Sequence, residues 1–128
     1  MLKKIVRTQD APSPVGPYSQ AVLSNGFLFC SGQIALDPLT GVLQDKDIES
    51  ETTRVMENLK AVLATAGSSF TGVVKTTIFL RDMKDFVRVN EIYGSYFDTE
   101  PPARSTVQAA ALPKGVRVEI ECIAVVEK

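Results

Sequence analysis

The 128-residue chain contains no histidine, so the side chain that most often moves protons near neutral pH is missing. Any acid–base chemistry must fall to carboxylates, amines or phenols. Cysteine is nearly absent as well: Cys30 and Cys122 are the only two. Both lie inside apolar, strand-like runs, where two small core residues are the expected reading rather than a disulfide or redox pair. Without histidine, and without a Cys-x-x-Cys arrangement, no zinc or other transition-metal site is expected. No apolar stretch approaches the roughly 20 residues that cross a bilayer. Lys3 and Lys4 have no apolar region behind them of the kind a secretory leader needs, so the cytoplasm is the expected compartment and no membrane partner is anticipated. Charge of one sign is also lacking. Fourteen basic residues face fifteen acidic ones, for a net charge of −1, and the basic residues are scattered. Nucleic-acid binding draws on phosphate neutralisation, so such a chain is a poor candidate for it.

The residues that are present describe an ordinary globular protein, 45% hydrophobic and 23% charged. The length suits one domain over residues 1–128. "LKKIVRT" reads as a first strand, and the proline-rich "DAPSPVGPYSQ" after it cannot be regular structure. Asn25-Gly26, between two apolar runs, is a strong hairpin signal. The second hairpin strand, from Phe27 to about Ile34, contains Ser31-Gly32, and a glycine there suggests a bulge or a close backbone approach. A helix is predicted over 48–66, with Val55, Met56, Leu59, Val62 and Leu63 at helical spacing and Gly67 as its stop. "VVKTTIFLRD" reads as a strand. A second helix is expected from an Asp82 cap to about Phe97, with Met83, Phe86, Val87, Tyr93 and Phe97 as its apolar stripe. Asn90 sits on that stripe, where its amide would need a partner. Two strands, near 103–111 and 116–126, close the chain and could pair through the "LPKG" turn. The result is an α+β domain: a mixed sheet packed on two helices.

Alternation sorts the last two strands by face. Val118, Ile120, Cys122, Ala124 and Val126 form an apolar face suited to the helices. Arg117, Glu119, Glu121, Ile123 and Val125 mix charge with large apolar groups on the other. A second copy of the chain is the simplest cover for such a face. Arg104, just after Pro101-Pro102, has three readings: a solvated edge charge, an ion-pair partner for Glu119 or Glu121, or an anion site using its planar fork. Glu119 could likewise be structural or a general base.

"PPARSTVQAAALPKGVRVEIE" resembles the signature of the Rid (reactive intermediate deaminase) family, in particular its RidA branch, a family also known as endoribonuclease L-PSP. "GPYSQAV", "FCSGQI", "NLKAVLATAG", "VVKTTIFLRDM" and "FVRVNEIYGSYF" agree in family order over nearly the whole chain. The resemblance implies a chorismate-mutase-like α+β fold assembled as a homotrimer with ligand clefts between subunits. It implies hydrolysis of 2-imino acids such as 2-iminobutanoate and 2-iminopropanoate to 2-oxo acids and ammonia, a metabolite damage-control role, with no cofactor. By the same resemblance Arg104 would fork the substrate carboxylate and Glu119 would hold or activate the attacking water. Tyr18, Ser31, Gly32, Asn90 and Thr106 would line the pocket; relatives often carry cysteine where Thr106 stands. Two rival readings are a non-catalytic regulator that binds carboxylate ligands, and an endoribonuclease or translation inhibitor. The absence of histidine and of a basic stripe argues against the second.

Overall fold

A tight turn at Asn25 and Gly26, both in the left-handed region (φ 53° and 79°), joins β2 (Ala21–Ser24) to β3 (Phe27–Gln33). Both φ values are those a two-residue hairpin loop demands. The structure is a computed structural model and describes residues 2–127. The remaining elements are β1 (Lys4–Val6), α1 (Ile48–Thr65), β4 (Val73–Leu80), α2 (Phe86–Gly94), β5 (Ala103–Gln108) and β6 (Val118–Val125). They build one six-stranded sheet in the order β1-β2-β3-β6-β4-β5, antiparallel throughout except for the parallel pair β4–β5.

That order corrects one expectation. The two last strands do not pair through the "LPKG" turn, because β4 lies between them. The α2 crossover sets β5 parallel beside β4, as a helix-linked pair requires. The chain then turns back at Lys114 and Gly115, both left-handed (φ 55° and 66°), and inserts β6 between β4 and β3.

Helix α1 opens on Asp47, whose Oδ1 accepts a hydrogen bond from Ser50 N at 2.7 Å, and stops before left-handed Gly67. Its buried stripe of Val55, Met56, Leu59, Val62 and Leu63 meets Leu28, Ile78, Leu80, Val118, Ile120 and Ala124 on one sheet face. Each such side chain removed from water contributes about 1.5–3 kcal/mol before entropy. Helix α2 departs from its expected stripe. The first turn after Asp82 is 3₁₀, over Met83–Asp85, and its three residues per turn rotate the α-helical part relative to an unbroken helix. Met83 and Val87 therefore face solvent, while Val89 joins Tyr93 in the core.

Among the described residues no element covers the opposite sheet face. Ile5, Phe27, Phe29, Val107 and Val125 are each more than a third exposed there, in register with Ile123, Phe79, Glu119 and Glu121. Arg117 does not belong to it. It precedes β6 and turns to α1, where its Nε donates to Glu51 Oε1 at 2.7 Å.

Candidate functional site

The ladder between β3 and β6 shifts register between Cys30 and Gln33, which places the expected bulge at Ser31-Gly32. Glu119 on β6 lies directly against it. A methyl group built on Gly32 would sit 2.9 Å from Glu119 Cδ and closer still to Oε2. Only glycine lets the carboxylate settle on the strand here. Ser31 ties the bulge to the proline-rich loop: its Oγ donates to Ser19 O at 2.5 Å and its N to Gln20 O at 2.9 Å. That hydroxyl proton is therefore committed to the backbone.

The loop itself is pinned by Gln20, which is buried. Its Nε2 donates to Thr8 O, Ala11 O and Pro12 O, and its Oε1 accepts from Thr8 N at 2.7 Å. A second buried amide holds the far rim. Asn58 of α1 donates through Nδ2 to Ile34 O (3.1 Å) and Leu36 O (3.0 Å), and accepts from Arg54 Nε. Neither Gln20 nor Asn58 was singled out from the sequence. Asn58 carried a signal, since it interrupts the buried stripe of α1, where an amide must find partners.

Between these supports lies an open cavity of about 470 Å³. Pro12, Val15, Tyr18, Pro113 and Lys114 line it together with Gly32 and Glu119. Glu119 is partly buried, and its proton affinity is raised first by that burial and second by the charge of Glu121. A carboxylate so placed holds a proton more readily than one in water, which suits a group that must take a proton and return it. Of the sequence-predicted residues, Tyr18, Ser31, Gly32 and Glu119 meet at this cavity.

Arg104, Asn90 and Thr106 form a separate group. Arg104 of β5 is in register with Thr76 of β4, which is in register with Cys122. It therefore points to the helix side of the sheet, as does Thr106, whose neighbours are Ile78 and Ile120. Glu119, in register with Phe79 and Val107, points to the other side. Within one chain the guanidinium and the carboxylate occupy opposite faces with a strand between them. The expected pairing of Arg104 with Glu119 or Glu121, and the convergence of Arg104 and Glu119 on neighbouring strands, are thus corrected for the single chain. The partner of Arg104 is Asn90: Nη1 donates to its Oδ1 at 2.6 Å. This is also the answer to the asparagine on the α2 stripe, which is exposed and capped by the arginine. Thr106 Oγ1 is buried and has no hydrogen-bond partner among the described residues.

A cavity holding the Glu119 carboxylate thus opens on an α+β domain, on the side of the sheet that no helix among the described residues covers. Sequence comparison identifies the kind of domain. The profile of the family described as Endoribonuclease L-PSP matches residues 8–126, and the chain belongs to that family, whose members also carry the names Rid and RutC. A RutC family protein of Synechocystis is 55% identical over 98% of both chains. The human 2-iminobutanoate/2-iminopropanoate deaminase is 46% identical over 98% of this chain and 91% of its own. Among solved structures, E. coli TdcF, crystallised with bound serine, superposes with a TM-score of 0.92 at 42% identity, covering 97% of this chain and 99% of that one. No helix among the described residues is long and apolar enough to cross a membrane.

Proposed function

We propose that the chain hydrolyses small 2-imino acids, with 2-iminobutanoate and 2-iminopropanoate as its substrates, as a member of the RidA branch. The observation that carries the reading is the partly buried Glu119 carboxylate seated on Gly32 in a cavity that Pro12, Val15, Tyr18 and Pro113 help to line. Similarity to the human deaminase supplies the substrate class. The reaction suits a site without histidine. A protonated imine is already electrophilic at C2, so the attacking water needs only a modest base. Glu119 accepts a proton as the water oxygen bonds to C2, and the C=N electron pair moves to nitrogen. The resulting carbinolamine loses ammonia when that proton reaches nitrogen, and Glu119 takes the hydroxyl proton as the C2–oxygen double bond closes to give the 2-oxo acid. Positioning the water and fixing the substrate carboxylate supply most of the rate.

The carboxylate anchor is Arg104, but it must come from another copy. The uncovered face, with Ile5, Phe27, Phe29, Val107 and Val125 exposed, is apolar enough to drive assembly. A homotrimer with each cleft shared by two chains brings one Arg104 and Thr106 to the Glu119 of a neighbour. The decisive test mixes two inactive variants, Arg104→Ala and Glu119→Gln, each assayed on 2-iminobutanoate released by a threonine dehydratase in competition with semicarbazide. Co-refolding the two in equal amounts restores about a quarter of the wild-type sites if each site draws one residue from each of two chains. No restoration, with both variants assembled, sinks the shared site; wild-type activity in either single variant sinks its role.

A further inference from the structure

Phe86, Asn90 and Tyr93 lie at i, i+4 and i+7 on α2, one stripe of a helix. All three touch Arg104. Its Cζ stands 5.5 Å from the Phe86 ring centroid and 5.2 Å from that of Tyr93, while Nη1 donates to Asn90 Oδ1. Tyr93 is itself fixed: its hydroxyl shares a 2.6 Å hydrogen bond with buried Thr76, and its ring packs on Phe97 at 4.9 Å. No carboxylate among the described residues is within ion-pair distance of Arg104. The arginine is thus held by two ring contacts and one neutral amide, with its charge uncompensated in its own chain.

We propose that Phe86 and Tyr93 are positioning residues for the Arg104 fork, forming an aromatic shelf that fixes the guanidinium before an anionic ligand arrives. The inference rests on the carboxylate-anchor reading of Arg104. A free arginine loses much rotamer freedom when it clamps a carboxylate, and that loss weakens binding. Here the ring contacts and the Asn90 bond hold the side chain in advance. Because Asn90 occupies Nη1 and is neutral, the Nε–Nη2 edge keeps both its donors and its full charge for the ligand. A carboxylate in the place of Asn90 would instead neutralise the fork.

The test is binding of 2-oxobutanoate by calorimetry, with kcat and KM on dehydratase-generated imine measured beside it. Phe86→Leu is expected to weaken binding and raise KM about three- to tenfold, equal to ~0.7–1.4 kcal/mol, with kcat changed less than about twofold. Phe86→Tyr, which keeps a ring, restores both to near wild type. Arg104→Ala is the control. If it abolishes binding while folded Phe86→Leu binds normally, the shelf is refuted and the anchor stands. If Arg104→Ala binds normally, the anchor itself falls and the shelf with it. One measurement on the unsubstituted protein guards against a misfolded variant. The ¹⁵N relaxation of Arg104 Nε should show a rigid group, with an order parameter near 0.8 against less than about 0.6 for exposed Arg7. Equal mobility at the two overturns the proposal.

Discussion

Replacing Glu51 should reveal how the second half of the sheet is tied to α1. The side chain is fully buried in the first turn of the helix. Its Oε2 accepts from Arg117 N at 2.8 Å and Val118 N at 3.3 Å, and its Oε1 accepts from Arg117 Nε at 2.7 Å. Arg117 is itself three-quarters buried, and its Nη2 donates to Asp45 O. Glu51→Leu keeps volume but strands a guanidinium edge and two backbone N–H groups. Breaking one partner of a buried pair costs about 3–5 kcal/mol. Unfolding a chain of this length carries roughly 0.27 kcal/mol/K of entropy, so Tm should fall about 10–20 °C. Glu49→Gln supplies the contrast: its partner Arg88 is largely exposed, and such pairs contribute under about 1 kcal/mol, or less than about 4 °C. Calorimetric melts at one fixed protein concentration are required, because assembly shifts Tm. Glu51→Leu with Arg117→Met should recover only part of the loss, since the two backbone donors stay unpaired. A Glu51→Leu melt within about 3 °C of the parent would refute the reasoning.

Four further outcomes can be checked. Turnover should fall on the acid side as Glu119 protonates, with its inflection above the ordinary glutamate range because burial, then Glu121, favours the protonated form. Glu121→Gln removes the second cause, so the acid limb in a kcat/KM–pH profile should move to lower pH. Gly32→Ala drives a methyl into the Glu119 carboxylate, and activity should fall at least about tenfold with far-UV circular dichroism unchanged. Asn58→Leu frees the Ile34 and Leu36 carbonyls; a loss of about 1–3 kcal/mol in denaturant melts is expected. Phe29→Glu puts a charge on the uncovered sheet face, and sedimentation velocity should show a smaller species than the parent.

Local features were readable from the residues because their causes are local. Asn25-Gly26 dictates its own turn, Ser31-Gly32 its bulge, and the stripe from Val55 to Leu63 its helix. Beyond the β2–β3 hairpin, the neighbours of the strands were not readable. Alternation says which side Glu119 and Arg104 take along their own strands, but β6 slots between β3 and β4 through pairings remote in sequence. Placing β4 between β5 and β6 carries Arg104 to the helix side, where α2 meets it. The short 3₁₀ turn at Met83–Asp85 was equally hidden, and it moved Val87 out and Val89 in. Arg117 misled by parity alone: it stands one residue before the strand, where alternation has not yet begun.

Cys30 and Cys122 face one another across the β3–β6 ladder at the middle of the sheet, both buried. The hydrogen bond between them, burial and nearby charge hold the Cys122 thiol well above the usual thiol range. Their burial makes alkylation of either sulfur slow while those two strands remain zipped. The rate of thiol labelling therefore clocks the parting of the central strands, giving a built-in chemical reporter of global opening that needs no engineered probe.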